Sequence, residues 1–335
     1  MDGILVLAKP AGPTSHDMVA LVRRLAATKR VGHGGTLDPF ASGVLQLFLG
    51  HATRMLEYHL ADPKAYRATV CFGASSTTDD LQGELTPSDG PAPGRAALEA
   101  ALTAFLGPII QVPPAYSAVK VAGRRAYALA RAGEKPDLAP RQVTIDRLEL
   151  VEWDGSDPDR PIAILQVECS AGTYVRALAR DLGRELGTAA YLGMLSRTSS
   201  GPFRLADAHR LDEIRAAASS GADGLRPLLL RPDAGLEHLP AIELGPNDVA
   251  AVARGQFVSP AAAVPRIVSG DQLRLLDEDG RLVAMATLRG GRLAPEKVFI
   301  DAPRTGPDPE LEAALLAERD PDERFDPDPA SPDDV

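Results

Sequence analysis

Apolar residues fall in short runs and helical stripes over the first 200 positions, and turn residues punctuate them. Residues 4–7 form an unbroken apolar run and 44–49 a run broken only by Gln46, and both read as buried strands. Between them Met18, Val19, Val22 and Leu25 recur at helical spacing behind Ser15, a good helix N-cap. A short helix is expected near 53–60, a strand over 66–72 and a helix over 95–106. Residues 143–151 and 162–169 read as paired strands, joined by a polar, turn-rich loop at 154–161. Thr173 is expected to cap a helix in which Tyr174, Leu178, Leu182 and Leu186 recur every fourth residue, and 192–199 follow as a strand. Arg176, Arg180 and Arg184 share an adjacent face of that helix. Arg180 and Arg184 read as a solvated stripe paired with Asp181 and Glu185. Arg176 sits in the first turn beside the Gly172 bend and is expected to enter a cleft.

A smaller unit is expected near 236–300. Its core is a hairpin of 273–276 and 282–288 around Asp277-Glu278-Asp279-Gly280, with a second turn at Gly290-Gly291. Beyond Pro303 the chain is acidic and proline-rich, which predicts disorder, with room for a short helix near 310–319.

A chain of 335 residues has room for two domains with sizeable cores. Its net charge of −10 argues against nucleic acid only until the charge is located. From Asp301 onward twelve acids face three arginines, so residues 1–300 carry about −1 and can still present a basic face. The two cysteines, Cys71 and Cys169, lie in apolar-rich segments and read as reduced packing residues. Six scattered histidines show no metal-ligand spacing, so no metal is expected. No apolar run is long enough to span a bilayer and no signal-like segment opens the chain, so a cytoplasmic protein is expected.

Candidate chemistry concentrates in Gly32-His33-Gly34-Gly35-Thr36-Leu37-Asp38-Pro39, which continues through Gly43. Glycine permits unusual backbone angles and close approach, and Pro39 holds Asp38 extended. One carboxylate is thus presented stiffly ahead of a buried strand. An ordinary Asx turn is the plain alternative. A second candidate is the segment 111–141, where Lys120, Arg124, Arg125, Arg131 and Lys135 alternate with Tyr116 and Tyr127. No acid interrupts residues 116–132, which favours contact with a phosphate backbone over a solvated surface helix.

The Asp38 loop resembles the active-site motif of the TruB family, the bacterial tRNA pseudouridine-55 synthases. Further segments resemble the same family in the same order: Lys9-Pro10 with Gly12-Pro13-Thr14-Ser15, Tyr66-Arg67, Pro113-Pro114-Ala115-Tyr116-Ser117-Ala118-Val119-Lys120, and Gly172-Thr173-Tyr174-Val175-Arg176. The resemblance spans about residues 3–205, and the C-terminal part more weakly. It implies an α+β catalytic domain over 1–235 with a mixed, mainly antiparallel sheet flanked by helices and a tRNA-binding insertion near 114–142. A PUA-like β domain at 236–302 and the tail at 303–335 would follow. It implies isomerisation of a uridine in the T loop of tRNA, by a monomer that needs no cofactor and no protein partner.

The resemblance assigns Asp38 as the essential carboxylate, Arg176 as its ion-pair partner, Tyr66 as the ring against the extruded base and Leu195 as an apolar wall. His33 would fill the gap that the base leaves. Lys64, Tyr174 and Arg197, with Lys120, Arg124 and Arg125, join the substrate and RNA contacts. Arg176 is expected to keep Asp38 ionised by lowering its pKa. Attack at C1′, addition to the base and proton abstraction at C2′ all remain open. So do two rivals: an RNA-guided or other RNA pseudouridine synthase, and a tRNA-binding folding helper, which would not need the Asp38–Arg176 pair.

Overall fold

A computed structural model describes residues 1–121, 123–259 and 267–300. The acidic tail, and the short helix expected within it, lie outside the described residues. In chain order the first strands are β1 (Gly3–Lys9), β2 (Val31–His33), β3 (Ser42–Leu49), β4 (Lys64–Phe72), β5 (Ala74–Ser76), β6 (Leu85–Pro87), β7 (Gly107–Gln111), β8 (Lys120–Val121) and β9 (Arg124–Arg125). Then come β10 (Arg141–Asp154), β11 (Ile162–Cys169), β12 (Ala190–Ser200), β13 (Phe203–Arg204), β14 (Ala241–Glu243), β15 (Gln272–Leu276), β16 (Leu282–Arg289) and β17 (Arg292–Val298). The helices are α1 (Ser15–Leu25), α2 (Leu56–His59), α3 (Arg95–Leu102), α4 (Ala126–Arg131), α5 (Val175–Glu185), α6 (Leu211–Ala218) and α7 (Pro246–Ala253).

Nine strands form the main sheet, whose path runs β1-β3-β12-β4-β11-β10-β7, with β2 and β13 attached beside it. Along that path only β3 and β12 run parallel, so the sheet is mixed and mainly antiparallel, as expected. The apolar runs mark strands covered on both faces. In β1, Leu5 and Leu7 pack with Met18, Val22 and Ile214 beneath α1 and α6. Ile4 and Val6 point the other way and pack with Leu282, Met285 and Phe299 of the C-terminal unit. Further along, Leu178 and Leu182 of α5 and Leu98 of α3 cover β4, β11 and β12.

Several expected details shift. Thr14, not Ser15, caps α1, through a reciprocal box with Asp17. Ser15 instead exchanges two hydrogen bonds with the backbone of Leu37 and ties the helix to the Asp38 loop. Helix α5 begins one residue later than expected. Its N-cap is Tyr174, without a side-chain cap, while Thr173 donates to the Ser170 carbonyl. The 53–60 helix is a 3₁₀ turn over Gly50–Met55 that runs into α2. The 95–106 helix stops at Leu102 and tightens into a 3₁₀ turn.

The expected hairpin is present as β15 and β16, and the Gly290-Gly291 turn leads into β17. With β14 they form a four-stranded sheet that packs Leu273, Leu275, Val283 and Leu293 around Val252 of α7. Polar straps reinforce its docking: Lys297 pairs with Glu57, and Arg54 donates to the Val298 carbonyl.

Candidate active site

A cleft of about 930 Å³ opens beside the middle of the main sheet. The loop between β2 and β3 forms one wall, and two of its glycines are required by geometry. Gly35 has φ +142° and Gly43 φ +112°, and a side chain at Gly43 would run into the Arg197 backbone. Lys9, 1 % exposed, stands beneath this loop and donates to the carbonyls of Ala41 (2.6 Å), Pro10 (3.0 Å), Asp38 and Pro39 (both 3.3 Å). Burial lowers its pKa to about 8, against the pull of Asp38. The role of Lys9 as a post under the loop becomes visible only when β1 lies against β3.

Asp38 projects from this loop into the cleft with 32 % of its side chain exposed. Arg176, from the first turn of α5, is 4 % exposed and meets it edge on. Its Nη2 donates to Oδ1 at 3.1 Å and its Nε lies 3.0 Å from Oδ2. The same guanidinium donates to the Thr78 carbonyl at 3.1 Å and the Tyr116 carbonyl at 2.9 Å, and stands 3.3 Å from Asp80 Oδ2. Arginine suits this place because its planar fork serves several acceptors at fixed angles. Asp80 is buried and is itself held by the Thr78 hydroxyl and the Gln82 amide. One cation therefore serves two carboxylates. The expectation of a lowered Asp38 pKa does not hold: burial raises it, Arg176 pulls it back and Asp80 adds to the rise.

Tyr66 of β4 and Leu195 of β12 line the floor. Leu195 reaches it through a bulge. The register against β4 slips between Leu192 and Met194, so Leu192 and Leu195, three residues apart, both join the core beside the cleft. Arg197 lines the cleft beside Leu195 but is only 1 % exposed, which leaves little of it for a phosphate to meet. Its guanidinium donates to the carbonyls of Val44 (2.8 Å) and Gly35 (3.1 Å). The expected RNA contact is thus a buried brace between the start of β3 and the Asp38 loop. Lys64 is similarly committed, to the carbonyls of Leu60 (3.2 Å) and Asp62. His33 accepts from the Gly35 amide at 3.4 Å. Burial, with Arg197 and His16 nearby, pushes its pKa down and keeps the ring neutral.

Tyr174, Arg125, Tyr127 and Arg131 stand on the rim, and the Arg141 guanidinium lies 4.6 Å over the Tyr174 ring. Lys120 and Arg124 are exposed in the small β8–β9 hairpin, outside the cleft lining, and Arg124 pairs with Glu134 at 3.1 Å. Arg180 departs from the solvated stripe expected of it: it is largely buried and pairs with Asp79 at 2.9 Å as well as with Asp181. Among the described residues no cluster of three or more His, Cys, Asp or Glu side chains has the geometry of a metal site.

Residues 23–175 match the N-terminal domain of the TruB family pseudouridylate synthases, and residues 176–237 match the tRNA pseudouridylate synthase B C-terminal domain. A relative in Bradyrhizobium diazoefficiens, named tRNA pseudouridine synthase B, is 43 % identical over 300 residues, covering 89 % of this chain and 85 % of that one. Its namesake in Thermobifida fusca is 42 % identical over 304 residues, covering 89 % and 98 %. The chain belongs to the TruB family. Among solved structures, the chain matched in a Cbf5-Nop10-Gar1 complex superposes with a TM-score of 0.67 at 27 % identity, over 90 % of this chain and 85 % of that one. This TruB chain therefore shares its fold with a chain crystallised in a multiprotein complex.

Proposed function

We propose that this chain isomerises uridine to pseudouridine at position 55 in the T loop of tRNA, with Asp38 as the acting carboxylate. The reading rests above all on Asp38, held by Arg176 yet open to a cleft large enough for one nucleotide. The reaction breaks the N1–C1′ bond and forms C5–C1′. N1 gains a proton and C5 gives one up, so no atom is lost and no electron is transferred. A carboxylate near the sugar or the base edge is the main chemical requirement.

The target base leaves its stack to reach Asp38, at a cost of a few kcal/mol. Tyr66 offers a face to the extruded ring, Leu195 an apolar wall, and neutral His33 a filler for the space left in the RNA. Arg176 orients Asp38 and does not react. Arg125 and Arg131 meet the RNA backbone from the rim and Lys120 from the hairpin beside it, and Tyr174 borders the same path. The enzyme works as a monomer in the cytoplasm, without cofactor or protein partner.

A second reading, a synthase that needs a guide RNA and partner proteins, is favoured by the likeness to the chain of the Cbf5-Nop10-Gar1 complex. The higher identity to the tRNA pseudouridine synthases B, over nearly the whole of the described chain, supports the stand-alone reading. Incubating the purified chain with an unmodified tRNA transcript, then mapping pseudouridine, separates the two. Product at position 55 with nothing added is expected. Product only after guide or partner is supplied would reverse the choice.

A further inference from the structure

Two consecutive carboxylates in the 77–84 loop meet two arginines one helical turn apart on α5. Asp80 faces Arg176, and Asp79 faces Arg180. The inner pair belongs to the site described above. The outer pair touches neither the Asp38 carboxylate nor the base-binding floor, yet it is built with equal care. Arg180 Nη1 donates to Asp79 Oδ2 at 2.9 Å and its Nη2 to the Val112 carbonyl at 2.9 Å. Its Nε and Nη2 meet the two Asp181 oxygens at 2.9 and 3.2 Å. Both side chains are about 15 % exposed.

Asp79 also has an unusual backbone. Its φ is +59°, in the left-handed region that residues with side chains seldom enter without a reason. Its carbonyl accepts from the Leu192 amide at 3.0 Å, and the Leu81 amide returns a 3.0 Å bond to the Leu192 carbonyl. This twist presents Asp79 to Arg180 and, one residue later, Asp80 to Arg176. On the other side, the Arg180 bond to Val112 fixes the start of the stretch that ends at Tyr116. The carbonyl of Tyr116 accepts from Arg176. Gln111 supports the same stretch by bracketing the backbone of Tyr174 with bonds of 2.8 and 3.1 Å.

Arg180 thus ties down both segments that supply acceptors to Arg176: residues 78–80 and residues 112–116. We infer that Asp79 and Arg180 form a positioning clamp that sets the orientation of the Asp38–Arg176 pair, and so governs the chemical step rather than RNA affinity. The inference rests on the functional reading given above. A clamp of this kind is worth rate because a small misplacement of an acting group costs far more in turnover than in binding.

The test compares Arg180→Ala, Arg180→Lys, Asp79→Asn and Asp79→Gly. Each is assayed for single-turnover pseudouridine formation on tRNA, tRNA affinity and thermal midpoint, and for amide exchange at residues 79–82. Arg180→Ala, Asp79→Asn and Asp79→Gly are expected to slow the chemical step about 10- to 100-fold, with affinity within about 3-fold of wild type. Asp79→Gly separates charge from backbone, since glycine adopts the twist freely. Arg180→Lys keeps the charge on Asp79 but not all three contacts, and should recover part of the loss. Amides 79–82 should exchange faster in Arg180→Ala.

Unchanged rates with a lowered thermal midpoint would reduce the pair to a structural staple. Affinity falling in step with rate would make it an RNA contact, and either result overturns the clamp. An inactive wild-type chain would instead overturn the functional reading. The clamp is then judged by exchange alone, and unaltered exchange at 79–82 in Arg180→Ala rejects it.

Discussion

The floor and the rim of the cleft are both rich in cations, and they use them in opposite ways. Around the floor, Lys9, Lys64, Arg176 and Arg197 are buried and committed to the chain's own carbonyls and carboxylates. On the rim and in the hairpin beside it, Lys120, Arg125 and Arg131 are exposed and pair with no carboxylate among the described residues. A buried charge without partners is costly, so the floor cations must be fully engaged to exist at all. They confer geometry. The rim cations retain their field for a polyanion and confer affinity.

Mutations that remove floor groups should therefore damage turnover or folding, and mutations on the rim should damage binding. The largest effect is expected for Asp38→Asn: product formation falls by about 10³ or more, while tRNA affinity stays within a few-fold. Rapid filtration binding beside a pseudouridine assay measures both. Retained activity would remove Asp38 from the chemistry. Arg176→Ala is expected to cut turnover about 10²-fold and to move the acid limb of the pH–rate profile.

The direction of that movement follows from the charges. Burial already raises the Asp38 pKa, so the ionised form needed for reaction fails at higher pH than for an ordinary aspartate. Arg176 opposes this rise, so its loss moves the acid limb further up. Asp80 adds to the rise, so Asp80→Asn moves the limb down even as turnover falls. A limb that stays in place in both variants would mean that another group titrates.

Arg197→Met sharpens the comparison, because Arg197 was expected among the RNA contacts. Removing its guanidinium leaves the carbonyls of Val44 and Gly35 without this donor, and should cost about 2 kcal/mol of stability by chemical denaturation. A stable variant that merely binds RNA less tightly would return Arg197 to the rim class. Smallest of all, Lys120→Ala or Arg125→Ala should weaken tRNA binding a few-fold. Each should make log affinity against log salt shallower by about 0.7–0.9, with turnover at saturation unchanged.

What the sequence made legible divides along the same line. The Asp38 loop, the α5 stripe, the paired strands and the C-terminal hairpin are local patterns, readable from glycines, helical spacing and turn residues. The pairing of Asp38 with Arg176 spans 138 positions and came from the family resemblance, not from spacing. Asp79 and Asp80 lie in a mostly polar stretch, and nothing local tells that they face α5. Arg180 was assigned to solvent because Asp181 and Glu185 are close in sequence, whereas its distant partner Asp79 is visible only in the fold. Arg197 sits on a strand where the expected alternation is broken by bulges at 192/194 and 197/199, so its inward direction could not be counted off from the apolar residues.

The arrangement itself is tested most directly by a crystal structure of the Asp38→Asn chain with a T stem-loop RNA. One uridine should be swung out onto Tyr66, with its C1′ about 3–4 Å from side chain 38 and the RNA backbone against Lys120 and Arg125. A uridine still stacked in its loop, with side chain 38 facing bulk water and no RNA in the cleft, would contradict it.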